Sequence, residues 1–355
     1  MSKVLMKGNE AIAEGAISAG CKCFFGYPIT PQNQIPEYMS VRMPQTGGAF
    51  VQAESEVAAI NMVYGAAGAG VRAMTSSSSP GISLKAEGIS YIAAACLPAV
   101  IVNIMRGGPG LGSIQPSQSD YFQATKGGGH GDYRLITYAP ASVQEAYDLV
   151  QLAFEVSDYY RCPSMILGDG MIGQMMEPVE LHKAEPTRKL MPKDWATTGY
   201  KKGKERSVIN TLFIEAPDLE RENKKRIATY EMIKAQEVLF EEYKTENAQI
   251  IVCAYGISSR IVKSAIDILE KEGINAGLIR PITLWPFPSD IINAYAKKDR
   301  VKAFLTVEMS AGQLVEDVKL AINGQKPDEL FYEVGSIIPK VSDVKKKIEQ
   351  MSKAY

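Results

Sequence analysis

The sequence predicts an α/β protein in which a doubly wound parallel sheet is followed by a second, smaller α/β domain. Three observations predict it. Short apolar runs of strand length alternate with segments of helical period up to about residue 172, and the alternation resumes near residue 246. The runs are apolar throughout instead of alternating with polar residues, as expected of parallel strands covered on both faces. A chain of 355 residues, 46% hydrophobic and 22% charged, has enough apolar material for about two cores and too little charge for a disordered chain.

Taken in order, the strand candidates of the first domain (residues 1–172) are Cys21–Phe25, Ala49–Val51, Arg72–Thr75, Ala99–Met105, Leu135–Tyr138 and Ser164–Leu167. A helix is expected to open at Thr30-Pro31, where Thr is a good N-cap and Pro suits the first helical position. A second opens at Ser142-Val143-Gln144-Glu145, an S-x-x-E capping box, with Ala146, Leu149, Val150 and Ala153 on one face. Residues 173–245 differ. They hold Met175-Met176-Glu177-Pro178, a basic piece from Lys201 to Arg206, and a charged helix expected from Asp218 to Lys244. This stretch reads as a solvated arm linking two domains, with a partner-binding arm as the alternative. Alternation then resumes in residues 246–355. Strand Ile250–Tyr255, helix Ser258–Lys271, strand Ala276–Ile279, helix Ser289–Tyr295, strand Val301–Val307, helix Gln313–Ile322 and strand Leu330–Glu333 make the smaller domain.

Composition excludes several classes of function. A net charge of −1 provides no field for recruiting nucleic acid or an anionic membrane. The longest uncharged stretch outside the loops, Gly88–Met105, is interrupted by Pro98 and falls short of the ~20 apolar residues of a spanning helix. The N-terminus has no apolar segment of the secretory kind. Five cysteines without any CxxC spacing, mostly inside apolar runs, fit a reducing cytoplasm and argue against a cluster or zinc site built by this chain alone. With two histidines, a histidine-rich metal site is excluded too, so no metal is expected on this chain.

In an open parallel sheet, ligands bind beyond the carboxyl ends of the strands. The unusual residues of the first domain all follow strands: Gly26-Tyr27-Pro28-Ile29-Thr30-Pro31, Gln52-Ala53-Glu54-Ser55-Glu56, Ser76–Gly81, Arg106–Gly112 and Gly127–Asp132. Thirteen of the 30 glycines lie between Gly65 and Gly131, which points to backbone passing close to a ligand. Thr30 reads either as a helix cap or as a partner for a substrate carboxylate, and the two are compatible. Glu54 and Glu56 both sit at a helix start, where the dipole favours negative charge. Arg106 is either half of a structural ion pair or an anion clamp. Asp120, Lys126 and His130 have acid–base capacity, with loop hydrogen bonding as the simpler use. Two fingerprints fail on context. Gly68-Ala69-Gly70-Val71-Arg72-Ala73 precedes a strand instead of following one, and no P-loop pattern occurs. Gly168-Asp169-Gly170 matches the start of the metal-diphosphate motif of thiamine enzymes. Its required asparagine is missing, since the nearest downstream one, Asn210, is too far away.

These strings, together with Ala53–Ala59, Asn103–Gly110 and Gly129-His130-Gly131-Asp132-Tyr133, resemble the alpha-type subunit of the 2-oxoacid:ferredoxin oxidoreductases over essentially the whole chain. The likeness is greatest to the branched-chain type acting on 3-methyl-2-oxobutanoate, and the 2-oxoglutarate type is closely similar. The resemblance implies a pyrimidine-side thiamine-enzyme domain followed by a domain like the C-terminal domain of transketolase. It implies thiamine diphosphate shared with a beta-type subunit that carries the diphosphate and Mg²⁺. It also implies 4Fe-4S clusters on partner subunits, among them a gamma-type and a ferredoxin-like subunit, with coenzyme A as cosubstrate and ferredoxin as electron acceptor. By the family's motif Glu56, in preference to Glu54, is the glutamate that shares a proton with ring nitrogen N1′ of the cofactor. The same carry-over puts Thr30 and Arg106 on the substrate carboxylate and Ile29 and Ser79 beside the cofactor. A non-catalytic scaffold or ligand-binding subunit is the alternative from another class.

Overall fold

The computed structural model describes residues 3–200, 202–203 and 205–355. Met1 and Ser2 of the N-terminal stretch and Lys201 and Lys204 of the basic piece lie outside the described residues. The chain runs Lys3–Lys7 (β1), Gly8–Ser18 (α1), Cys23–Gly26 (β2), Gln34–Gln45 (α2), Ala49–Gln52 (β3), Glu56–Gly68 (α3), Ala73–Ser77 (β4), Pro80–Ala94 (α4) and Val100–Met105 (β5). Tyr121–Thr125 (α5), Ile136–Tyr138 (β6), Val143–Tyr160 (α6), Ser164–Asp169 (β7), Gly170–Gln174 (α7) and Met176–Glu180 (β8) follow. Then come Ala216–Gln236 (α8), Phe240–Tyr243 (β9), Ile250–Cys253 (β10), Gly256–Lys271 (α9), Ala276–Pro281 (β11) and Thr283–Trp285 (β12). Ser289–Ala296 (α10), Ala303–Glu308 (β13), Leu314–Ile322 (α11), Asp328–Tyr332 (β14) and Val341–Ala354 (α12) complete it.

The larger sheet has the order β12–β6–β7–β5–β4–β2–β3 and the smaller one β14–β13–β10–β11–β9, with β1 and β8 paired as a separate antiparallel ribbon. The expected parallel sheet is present from β6 to β3. It is doubly wound because central β5 is apolar on both faces. Val100, Val102 and Ile104 pack with α1, α2 and α6, while Ile101 and Met105 pack on the side of α3 and α4.

Both sheets depart from a purely parallel arrangement at an edge. β12, from beyond residue 246, pairs antiparallel with β6, Thr283 opposite Tyr138, and so covers backbone groups that an open edge would expose. β9 does the same for β11, Tyr243 opposite Leu278. This is why the charged helix stops at Gln236 instead of reaching Lys244: Phe240–Tyr243 pairs as a strand. The helix itself is anchored by one stripe, Arg226, Tyr230 and Ile233, with Tyr230 edge-on to Trp285 at 5.5 Å.

Polar groups stitch the two sheets together. Gln118 is fully buried: its N–H donates to Met309 O (3.0 Å) and its Nε2 to Tyr255 O (2.9 Å), while its Oε1 accepts from Ser258 Oγ and Met309 N. Arg280 grips Glu145 with both Nη atoms (2.6 and 2.9 Å) and Glu241 with Nε (2.6 Å). No helix among the described residues is long and apolar enough to cross a membrane.

Candidate active site

Parallel pairing of β2, β4, β5 and β7 brings Gly26, Ser77, Met105 and Asp169 to one edge, and the loops that follow them meet there. Arg106, the residue after β5, is 8% exposed. Its Nη1 donates to Thr30 O (3.1 Å) and Nη2 to Leu111 O (3.0 Å), and its Nε is buried without a partner among the described residues. No carboxylate among the described residues pairs with it. The ion-pair reading of Arg106 therefore gives way to a buried cation at this strand edge, held by carbonyls and paired with no acid among the described residues.

The Arg106 contact brings Thr30 into the same site, but not as a helix cap. α2 starts at Gln34 with Asn33 before it, and Thr30-Pro31 lies in the preceding turn. Distant side chains fix that turn: Asn9 Nδ2 (2.8 Å) and Gln174 Nε2 (2.6 Å) both donate to Pro31 O. Half-buried Thr30 keeps a hydroxyl that makes no hydrogen bond with any described residue, and Ile29 beside it is half-buried. Ser79, just before α4, has a left-handed φ of 24°. Its N–H donates to Asn103 Oδ1 (3.1 Å), and its hydroxyl accepts from Arg106 N (3.0 Å) and donates to Asp120 Oδ2 (2.6 Å). Asp120, raised above the usual carboxylate range by burial, is thus a loop-bracing group. Lys126 pairs with Asp317 and exposed His130 offers its carbonyl to Ser90 Oγ (3.0 Å), so neither stands at this edge.

The two glutamates separate cleanly. Glu54 is exposed; Glu56, at the first turn of α3, is 6% exposed. Ser55 caps the helix by accepting from Ala58 N (3.1 Å), which leaves the Glu56 carboxylate unused as a cap. No described residue donates a hydrogen bond to it. It lies against the first turn of α4, where a Cβ on Gly81 would overlap the Ser77 hydroxyl and come 2.7 Å from Glu56 Oε1. Ser77 and Ser78 are fully buried, and their hydroxyls have no partner among the described residues.

Sequence reasoning missed two buried ionisable groups here. Lys85 on α4 is fully buried, donates to Thr75 Oγ1 (2.6 Å), and is pushed down to about 7 by burial, with Glu56 opposing the shift. Its signal was the spacing Gly81–Lys85–Gly88 on one helical face. Asp169 of the discounted GDG string is pushed up to about 6 by burial. It caps α7 through Met171 N (3.1 Å) and Ile172 N (3.0 Å), and takes Ile257 N (2.9 Å) at the start of α9. Its carboxylate is spent on joining the sheets.

Comparison with known proteins follows this geometry. Residues 14–244 match the family model "Pyruvate flavodoxin/ferredoxin oxidoreductase, thiamine diP-bdg", and residues 248–344 match "Pyruvate:ferredoxin oxidoreductase core domain II". The chain is 48% identical to ketoisovalerate oxidoreductase subunit VorB of Methanothermobacter thermautotrophicus, covering 99% of each. It is 35% identical to the 2-oxoglutarate synthase subunit KorA of the same organism, covering 98% of each. Among solved structures, 2-oxoglutarate:ferredoxin oxidoreductase from Magnetococcus marinus superimposes with a TM-score of 0.86 at 23% identity, over 99% of this chain and 65% of that one. A split-gene transketolase superimposes with a TM-score of 0.60 at 14% identity, over 98% of each chain, so the transketolase-like architecture extends through the second domain. By family model, by full-length relatives and by fold, this chain belongs to the pyruvate flavodoxin/ferredoxin oxidoreductase family and is a subunit-type member of those 2-oxoacid oxidoreductases.

Proposed function

We propose that this chain supplies one half of the active site of a thiamine-diphosphate-dependent oxidoreductase. The enzyme converts a branched-chain 2-oxoacid of the 3-methyl-2-oxobutanoate type, with coenzyme A, to the acyl-CoA, CO₂ and reduced ferredoxin. Greater identity to the ketoisovalerate subunit than to the 2-oxoglutarate subunit supports that substrate class. On this reading a beta-type subunit holds the diphosphate, Mg²⁺ and an iron–sulfur cluster. Gamma-type and ferredoxin-like subunits complete the assembly in the cytoplasm, whose reducing conditions suit five free cysteines. Residues 1–172 form the pyrimidine-side domain and 246–355 the transketolase-like one, with 173–245 between them.

The residues present fit the aminopyrimidine end of the cofactor. A buried carboxylate without a donor and two buried, unpartnered serine hydroxyls leave polar groups at this edge for a ligand. At the GDG string the carboxylate that a diphosphate-bound metal would need is already taken, because Asp169 is engaged by three backbone N–H groups. Bound there, thiamine diphosphate supplies the carbon nucleophile for the 2-oxo group and takes up the electrons released with CO₂. Glu56 holds a proton in common with ring nitrogen N1′. Arg106, which cannot lose its charge, binds and orients the substrate carboxylate with the Thr30 hydroxyl beside it, while Ile29 and Ser79 line the site.

One observation carries the reading. A buried carboxylate lacking a donor and a buried guanidinium lacking an acid lie on the same strand edge. The test is turnover of the co-purified complex against a panel of 2-oxoacids with ferredoxin or a viologen dye. Preference for branched-chain acids is expected. Preference for 2-oxoglutarate would overturn the substrate class, and inactivity towards every acid would favour a non-catalytic subunit.

A further inference from the structure

Lys85 has no place in the site as described, yet it is a fully buried cation. Burying a lysine is costly unless its charge or its protons are used. Here the surroundings are specific. On α4, Gly81, Lys85 and Gly88 fall on one face, spaced by four and three residues, and that face meets α3. At one end of the stripe Gly81 lies against the Glu56 carboxylate. At the other, Gly88 is pressed on Ile60, whose Cγ2 would stand 2.5 Å from an added Cβ. Glu56 and Ile60 are themselves one turn apart on α3, so Lys85 occupies the position between these two close approaches.

The charged groups around Lys85 are few. α3 presents Glu56. β4 presents uncharged Thr75 and Ser76, the hydroxyl of Thr75 accepting from Nζ at 2.6 Å and the carbonyl of Ser76 at 3.4 Å. On α4 itself Glu87 is exposed and takes the Tyr91 hydroxyl (2.5 Å). Beyond Ser79, Asp120 is engaged by Ser79 and Asn103. Glu56 is therefore the one acidic group among the described residues that lies at the same α3–α4 contact as Lys85 and lacks a hydrogen-bond donor of its own.

We infer that Lys85 is a positioning residue for Glu56, an ammonium buried behind the carboxylate that sets how tightly Glu56 holds the proton it shares with the cofactor. The inference rests on the proposed role of Glu56. An ammonium one layer behind a carboxylate favours its charged form without touching the cofactor. The neighbour must itself be protonated to do so: burial pulls Lys85 down to about 7, Glu56 opposes that, and the charged form prevails below about pH 7.

The test measures the coupling directly. Full-length chain labelled with ¹³C at glutamate carboxyls is titrated by NMR, the Glu56 signal being assigned by its loss in Glu56→Gln. Lys85→Met keeps the length of the side chain and removes the charge. The Glu56 carboxyl is expected to titrate at higher pH in Lys85→Met than in the wild type. The acid limb of kcat/KM in the reconstituted complex should move the same way. Identical titration in both proteins would overturn the inference. If Lys85→Met does not fold, the reciprocal experiment serves: ¹³Cε-lysine NMR should show Lys85 titrating at lower pH in Glu56→Gln, and an unchanged value would be equally fatal. Intact turnover of Glu56→Gln beside an intact NMR coupling would refute the catalytic reading of Glu56 and leave the electrostatic link standing, so the two failures are distinct.

Discussion

Replacing Gly81 by Ala separates the integrity of the fold from the placement of Glu56. Gly81 lies in the first turn of α4, and no unusual backbone conformation requires glycine there. Alanine is the better helix former, by up to about 1 kcal/mol. What the added methyl meets is the Ser77 hydroxyl and, at 2.7 Å, Glu56 Oε1. Both are side-chain ends and can yield, the serine by rotation and the carboxylate by a retreat of roughly 0.7 Å to ordinary contact. A displacement near 1 Å in a catalytic group costs on the order of 100-fold. Gly81→Ala is therefore expected to unfold within a few degrees of the wild type while turnover of the reconstituted complex falls about 30- to 100-fold. Thermal unfolding of the chain and viologen-linked 2-oxoacid turnover measure the two quantities. Undiminished turnover in a stable variant would mean that the carboxylate pressed on α4 is not the group that works.

The remaining predictions address the substrate cation and the joint between the sheets. Arg106→Met removes a buried guanidinium expected to bind the substrate carboxylate. A loss of about 3 kcal/mol, or roughly 100-fold in kcat/KM, should appear with no shift of the pH profile, because arginine does not titrate; a change under threefold would dismiss the assignment. Asp169, with its carboxyl pushed up to about 6 in the fold, binds protons there that the unfolded chain does not. Its contribution to stability is thus greatest below about pH 4 and is lost by up to about 3 kcal/mol as pH rises through 6. Unfolding midpoints of wild type and Asp169→Asn, compared from pH 4 to 8, should differ in slope over that window, and parallel curves would argue against it. Arg280→Met leaves Glu145 without a cation at the joint and Glu241 with Lys263 alone, and should cost about 3 kcal/mol of stability in chemical unfolding. A cost within 0.5 kcal/mol would show the joint to be carried by apolar contacts instead.

Much of this was legible in the sequence because the relevant signals are local. Apolar runs marked the strands, and the loops after β2, β4 and β5 that meet at one edge stood out by composition, whereas Gly127–Asp132 follows α5 and leads elsewhere. Ser142 caps its helix, as its S-x-x-E spacing implies. What stayed hidden depends on distant partners. Thr30 looks like a cap until Asn9 and Gln174, from α1 and α7, take the Pro31 carbonyl and postpone the helix. Thr283-Leu284-Trp285 is too short to show a period, and its partner β6 lies some 145 residues earlier. Lys85 is of a type ordinarily exposed, and its one local hint, the glycines four before and three after it, means burial only once two helices approach at Gly81 and Gly88. Glu54 and Glu56 are near equals as letters. The Ser55 cap decides between them, turning one outward and one inward.

The most direct measurement of the central claim is turnover of the reconstituted complex carrying Glu56→Gln. Glutamine keeps the shape of the side chain but cannot exchange a proton with the cofactor ring, so assembly should be normal and turnover with the preferred 2-oxoacid should fall by about 100- to 10,000-fold. A fully assembled complex turning over at the wild-type rate would contradict the account.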